Sequence, residues 1–450
     1  MTPRTVEKIN TRYRRIQTKI PVPESLSIFK QLEESEPRSM LGQPPIVWDR
    51  AEGLNVYDAW GNMWLDWSCG VLITNVGHGR KEIRDAVVEV LDKPLLTTYV
   101  FPHARRAKLA RMLQELAPKK AEYLVFLLST GSEAVENAIK LACTYGIEKG
   151  GERKHVIIGF DSAFHGRTLG AQLAGGIPAM KKWIVETGQG FIQTPFPDGF
   201  RNEDLSFDQF LQTVKENSLT GADVAGVITE SFQGAGPNFF PDEYAKNLEL
   251  WCRENDVVLI VDEVQAGFGR TGKMFTYEHY GIEPDIICCG KGISSSLPIS
   301  AVIGRADIMN LYEPGSMTST HSGSPLPVAS AIANLELIRK GKLVKRAAEL
   351  DKPLRDGLDA IRTKHQRHIG AVMSRGLVAG LLIVKLGTKD PDSGTALAIN
   401  ERCFEKGLLM FAPVGVGGAC VKIAPPLITS LEALEEGIAV ISEACDEVLS

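Results

Sequence analysis

The stretch VVLIVDEVQAGFGRTGKMFTYEHYGIEPDIICCGKG, residues 257–292, decides the fold. It opens with an apolar run, Val257 to Val261, that ends in Asp262 and Glu263, and closes with a second, Asp285 to Cys289, that ends in Gly290-Lys291-Gly292. Continuous β-prone runs of this length read as strands buried on both faces of a sheet. A carboxylate at the end of one and a lysine at the end of the other stand where ligands bind in parallel α/β sheets. Between them, Gly267-Phe268-Gly269-Arg270-Thr271-Gly272 matches G-x-G-x-x-G. The context argues against a dinucleotide site. Lys273, Met274, Phe275 and Thr276 follow where a small-residue helix should begin, and Asp262-Glu263 already occupies the strand end. These glycines read as a tightly turning loop.

Outward from this stretch, Tyr123 to Leu128, His155 to Phe160, Val224 to Thr229 and Ser300 to Ile303 repeat the buried-strand pattern. Helix-like segments such as Ser132 to Tyr145 and Pro241 to Glu254 lie between them, which predicts an α/β fold of βαβ units around a mostly parallel sheet. A long helical stretch is expected over 327–350 and an amphipathic one from Leu431 to Val448. The first 45 residues, punctuated by Pro21, Pro23, Pro37, Pro44 and Pro45, read as an arm. Val47 to Asp49, Asn55 to Asp58 and Met63 to Trp67 read as short extended segments of a small sheet. The expected division is an arm and part of a small domain over 1–75, a large domain over 76–330, and a smaller α+β domain completed by 331–450.

Composition excludes several classes. The 50 basic and 55 acidic residues, interspersed for a net charge of −5, leave no basic stripe for a nucleic-acid backbone. No apolar run approaches the roughly 18 residues of a membrane span, and no apolar segment follows the basic residues Arg4 to Lys19 as in a secretory signal. The eight cysteines form no CxxC pair and have no histidine at ligand spacing, so buried thiols, a cytoplasmic location and no metal are expected. His365 and His368 read as a solvated helix face.

Three segments carry chemistry together. Ser129-Thr130-Gly131-Ser132-Glu133-Ala134 follows a strand and opens a helix, whose free N–H groups and dipole suit a phosphate. Alone it reads first as an ordinary Ser/Thr cap. Asp262, buried at a strand end, requires a cation, although a loop cap or a core arginine would also satisfy it. Lys291, between two glycines and partly desolvated, would be a nucleophilic amine able to form an imine, where alone it would be a surface lysine. With 29 residues from Asp262 to Lys291, the set supplies each contact that pyridoxal 5'-phosphate requires. The helix start would take the phosphate, the aspartate would keep the pyridine nitrogen protonated, and the lysine would take the aldehyde and shuttle a proton.

Over roughly residues 40 to 445 the chain resembles the class III pyridoxal-phosphate aminotransferases, which include 4-aminobutyrate, ornithine and omega-amino acid transaminases. The resemblance runs from Asp262 through Val264, Gln265, Gly269, Arg270, Thr271 and Gly272 to Pro284, Asp285 and Lys291. It implies fold type I and a homodimer with active sites at the subunit interface. It also implies cofactor contacts from Gly131 and Ser132, from Phe164 on one ring face and Val264 on the other, from Gln265 at the ring hydroxyl, and from Glu230 toward the substrate side. Thr320 would bind the phosphate of the neighbouring subunit, and Val71, Arg167 and Lys422 would face substrate. The implied reaction moves an amino group from an amine or omega-amino acid to a keto acid through an imine on Lys291.

Two departures bear on specificity. Lys422, before Ala424-Pro425-Pro426-Leu427, stands where the family commonly has a carboxylate-clamping arginine, and lysine lacks the planar fork. Ala235 stands where many members carry a glutamate that pairs with that arginine. Both count against 2-oxoglutarate as acceptor and keep open a second reading, a lyase acting on a small amino phosphate or phosphonate.

Overall fold

A computed structural model describes residues 2–185 and 190–450. The chain forms two compact units: Lys81–Val344, and a second assembled from Met1–Arg80 and Lys345–Ser450. The break expected at 330 falls inside the helix Pro325–Lys340, which packs on the helices Lys81–Leu91 and Ala104–Gln114 of the larger unit.

The larger unit holds a seven-stranded sheet, labelled here in chain order: β1 (Tyr123–Leu128), β2 (Val156–Phe160), β3 (Phe191–Thr194), β4 (Val224–Glu230), β5 (Val258–Asp262), β6 (Ile286–Cys289) and β7 (Ser300–Arg305). Their order across the sheet is β1-β7-β6-β5-β4-β2-β3. Only β7 runs antiparallel to its neighbours β6 and β1, so the other six strands end along one edge. β2, β4, β5 and β6 are buried throughout, which is why their sequences are continuously apolar.

The helix Gly131–Gly150 covers the sheet with Ala134, Val135, Ala138, Ile139, Leu141, Ala142 and Tyr145. Gly146 permits that close seating, because a Cβ there would lie 2.4 Å from the Lys154 carbonyl oxygen and 2.7 Å from the Ala225 Cβ. The loop 264–275 carries no helix; Phe268, Gly269 and Gly272 all have positive φ, as its glycine pattern required.

Three expectations are corrected. The helical stretch over 327–350 is two helices, Pro325–Lys340 and Leu343–Lys364, broken at Lys342, whose φ is +51°. Residues 9–22 are not an overlying arm: Ile9–Asn10 and Arg15–Ile16 join a sheet of the smaller unit, and Ile16, Ile20 and Val22 are core residues. The strand expected at Val47 to Asp49 is Arg50–Glu52, because the hairpin pairs Arg50 with Tyr57 and turns at Gly53.

In the smaller unit that sheet continues through Met63–Asp66, Asn55–Tyr57 and Arg50–Glu52, and a second, antiparallel sheet joins Ile369–Arg375, Val378–Ile383 and Cys420–Ile423. After Met63–Asp66 the backbone makes one left-handed turn at residues 69–72. Such a conformation costs roughly 1–2 kcal/mol for each residue other than glycine, so neighbours must hold it. His365 hydrogen-bonds Asp446 at 2.7 Å rather than facing solvent freely, and among the described residues no cluster of ligands suits a metal. None of the eight cysteines is in a disulfide, and all but Cys143 are buried.

Candidate active site

At the edge where β1, β4, β5 and β6 end lies a cavity of about 220 Å³. Each of those strands delivers a lining group: Thr130-Gly131-Ser132 after β1, Glu230 on β4, Asp262 on β5, and Lys291 two residues beyond β6. Phe164, His165, Gly166, Val264 and Gln265 complete the wall.

The helix start is organised by a capping box. The Thr130 hydroxyl accepts from the Glu133 N–H at 3.2 Å, and the Glu133 carboxylate accepts from the N–H groups of Ser129 and Thr130 at 2.9 and 3.3 Å. The N–H groups of Gly131 and Ser132, which the box does not use, remain for an anion at the positive end of the helix. Two glycines shape this corner. At Gly166, with φ +134°, a Cβ would lie 2.2 Å from the Ser132 hydroxyl oxygen, and at Gly131 one would lie 2.8 Å from Val264 Cγ1. Gly131→Ala is therefore expected to weaken cofactor binding by about tenfold or more, an overpacking effect. In cofactor titrations of the apoenzyme, adding Val264→Ala should restore part of the loss, and strictly additive losses would contradict this geometry.

The partner of Asp262 is His165. Its carboxylate is bonded to His165 Nδ1 at 2.9 Å and accepts the Val264 N–H at 3.0 Å. Burial works against a charged imidazole, but the hydrogen bond and charge of Asp262 prevail, and the His165 pKa stands above the ordinary histidine value. His165 Nε2 is buried without a protein partner. Sequence reasoning assigned His165 no role, although the demand of Asp262 for a cation was the available signal.

Glu230 lies beside Asp262 in the sheet register and accepts the N–H groups of Phe164 at 2.9 Å and Gly234 at 2.7 Å. Burial pushes its pKa up to about 7, with His165 opposing and the charge of Asp262 adding to the rise. Glu263, the second carboxylate of the pair, points elsewhere and ties Ser231, Thr276 and Tyr277 together. The Lys291 backbone has φ +43°. Burial lowers its pKa below the ordinary 10.5, while the charges of Asp262 and Glu230 resist that shift. Val264 packs against Gly290 as well as Gly131, between the lysine loop and the helix start.

The other expected residues are not among those that line this cavity. Arg167 is exposed, its guanidinium 5.8 Å from the Phe164 ring centre, and Thr320 is exposed on the loop that precedes Pro325. Val71 and Lys422 belong to the smaller unit, Val71 exposed in the left-handed turn and Lys422 buried on Cys420–Ile423. Arg270 is fully buried.

Residues 39–445 match the family model described as aminotransferase class-III. The chain belongs to the class-III aminotransferases. It is 34% identical over 441 residues to the 4-aminobutyrate aminotransferase of Mycobacterium leprae, covering 95% of this chain and 97% of that one. Its fold is similar to a Bacillus anthracis aminotransferase at TM-score 0.86, with 28% identity and 94% and 99% of the two chains covered. It is also similar, at TM-score 0.83 and 26% identity over 95% and 96% of the chains, to the ornithine aminotransferase of Toxoplasma gondii. That enzyme was described with partial occupancy of pyridoxal 5'-phosphate at its active site. The fold is fold type I, and the protein is an aminotransferase dependent on pyridoxal 5'-phosphate. The residues present fit that cofactor: two N–H groups at a helix start left unclaimed among the described residues, two glycines where a Cβ would fill the cradle, and a buried carboxylate bonded to histidine. All three of these proteins are aminotransferases, and none supports the lyase reading.

Proposed function

We propose that this class-III aminotransferase moves the amino group of an amine or omega-amino acid to a keto acid lacking a second carboxylate. The observation that carries the reading is the convergence of a desolvated Lys291, the Asp262–His165 pair and the capped helix start on one cavity. Pyridoxal 5'-phosphate, when bound, supplies an aldehyde that condenses with amines and a ring that withdraws electrons from the adjoining carbon. The N–H groups of Gly131 and Ser132 bind its phosphate. Phe164 and Val264 exclude water from the ring faces, and Gln265 serves its hydroxyl. Asp262, an anion at the strand end, sustains positive charge on the ring nitrogen. Lys291, whose pKa burial lowers, would hold the cofactor between turnovers and carry the proton during exchange. Glu230 lies toward the substrate.

A homodimer is part of this reading. The segment 95–101 exposes Leu95, Leu96, Tyr99, Val100 and Phe101, the last at 72%, and a second copy of the chain would cover it. Thr320, exposed and free of its own cavity, would then serve the neighbouring phosphate. A cytoplasmic location agrees with eight cysteines none of which is in a disulfide; no described helix is long and apolar enough to cross a membrane. The acceptor preference rests on Lys422 and Ala235, which supply neither the arginine fork nor its glutamate gate.

With an omega-amino acid as donor, turnover is expected to require a keto acid and to favour pyruvate over 2-oxoglutarate by about tenfold in kcat/KM. Ammonia or phosphate released without any acceptor would contradict the transferase reading, and equal use of the two keto acids would contradict the acceptor assignment.

A further inference from the structure

The loop that carries Lys291 is strained at both ends. Lys291 has φ +43° and Ser295 φ +54°, in the left-handed region that costs a residue with a side chain what it does not cost glycine. Between them the backbone makes one short turn, with Ile293 N–H donating to the Gly290 carbonyl at 3.0 Å and Ser294 N–H to the Lys291 carbonyl at 3.3 Å. Strain of this kind persists only where the surroundings over-determine it.

The restraint comes from the helix Pro325–Lys340, in the same unit. The Asn334 amide donates to the Gly292 carbonyl at 2.8 Å and to the Ile293 carbonyl at 2.9 Å. One helical turn earlier, the Ser330 hydroxyl donates to the Ser294 carbonyl at 3.2 Å and, its proton so placed, accepts from the Ser296 hydroxyl at 2.5 Å. Three consecutive carbonyls, the first directly after Lys291, are thus bound by two side chains on one face of one helix. Both side chains are fully buried, and neither lines the cavity. Asn334 spends both amide hydrogens on the loop, while its Oδ1 is buried with no hydrogen-bond partner among the described residues. An apolar side chain of the same size would avoid that unpaired acceptor, so what the asparagine contributes is its pair of donors.

We propose that Asn334 and Ser330 are positioning residues that clamp the lysine loop in its strained form and so fix the reach and direction of the Lys291 amine. This rests on the reading of Lys291 as cofactor anchor and proton carrier. A proton carrier works over hydrogen-bond distances, so a shift of about 1 Å in its backbone slows transfer by about a hundredfold. The helix start that takes the phosphate lies outside the clamped loop and stays as it is.

The test follows the first half-reaction of the holoenzyme in single turnover through its visible absorbance. The donor is the fastest of a series of straight-chain omega-amino acids, with hydrogen or deuterium on the carbon that bears the amine. Asn334→Leu is expected to slow the isotope-sensitive rate by about tenfold to a hundredfold and Ser330→Ala by about threefold to tenfold, with donor KM changed less than about threefold. A purely structural role would lower the denaturant midpoints yet leave the isotope-sensitive rate of folded holoenzyme within about twofold of wild type, and that result overturns the proposal. Should Asn334→Leu not fold, Ser330→Ala decides the same question, since it removes one hydroxyl at little change in volume. Borohydride reduction of each preparation separates the two levels of the argument. Cofactor on Lys291 with unchanged rates sinks the clamp alone, whereas cofactor on a different lysine sinks the reading of Lys291 and the clamp with it.

Discussion

Lys291→Ala is expected to abolish the visible absorbance that appears when the apoenzyme takes up cofactor, and to lower transaminase activity by about a thousandfold or more, because one group supplies both the covalent anchor and the proton carrier. The fold should survive. The Lys291 ammonium is buried at a cost that depresses its pKa, and among the described residues its side chain makes no hydrogen bond. The sign of the stability effect follows from that depression. Below the folded-state pKa both states hold the proton and the folded state bears the desolvation cost. As pH rises through that value toward the ordinary 10.5 the cost disappears. Apo wild-type enzyme should therefore gain stability relative to Lys291→Ala as pH rises through this window, measured by denaturant unfolding at several pH values. No relative change over the window would place Lys291 in a solvated environment, and a relative loss would mean that its pKa is raised on folding.

Asp262→Asn is expected to separate cofactor capture from chemistry. The substitution removes the anion while leaving the helix start and Lys291 in place, so the visible absorbance on cofactor uptake should persist. Activity should fall by about a hundredfold to a thousandfold, in line with the loss of a preorganised electrostatic partner. The same change removes the charge that raises the His165 pKa and leaves at most a neutral hydrogen bond, so the histidine should titrate lower in the variant. Activity within tenfold of wild type would show that the charge at the end of β5 does not act on the cofactor ring.

Strands β4, β5 and β6 were legible because burial on both faces leaves an unbroken apolar run, and the groups that end them are conspicuous for the same reason. Edge strand β3 was not legible, since Phe191, Ile192 and Gln193 are only partly buried and lack that contrast. The break at Gly341-Lys342 escaped notice because apolar spacing continues across it. Two-residue strands such as Arg15–Ile16 exist only by virtue of their neighbours, so no local pattern marks them.

At the site, Asp262 and Lys291 announced themselves, and Thr130-x-x-Glu133 already spelled the capping box. His165 did not, because it meets Asp262 across 97 residues and nothing in its own surroundings indicates which carboxylate it serves. The left-handed conformation of Val71 was equally hidden, since a valine is the residue least expected there.

The most direct measurement is borohydride reduction of the holoenzyme, which fixes the cofactor to whichever amine holds it, followed by proteolysis and peptide mass mapping. Cofactor mass on the peptide that contains Lys291, and its disappearance in Lys291→Ala, is the expected result. Attachment to a different lysine, or none in a catalytically active preparation, would contradict the assignment of this cavity as the catalytic centre.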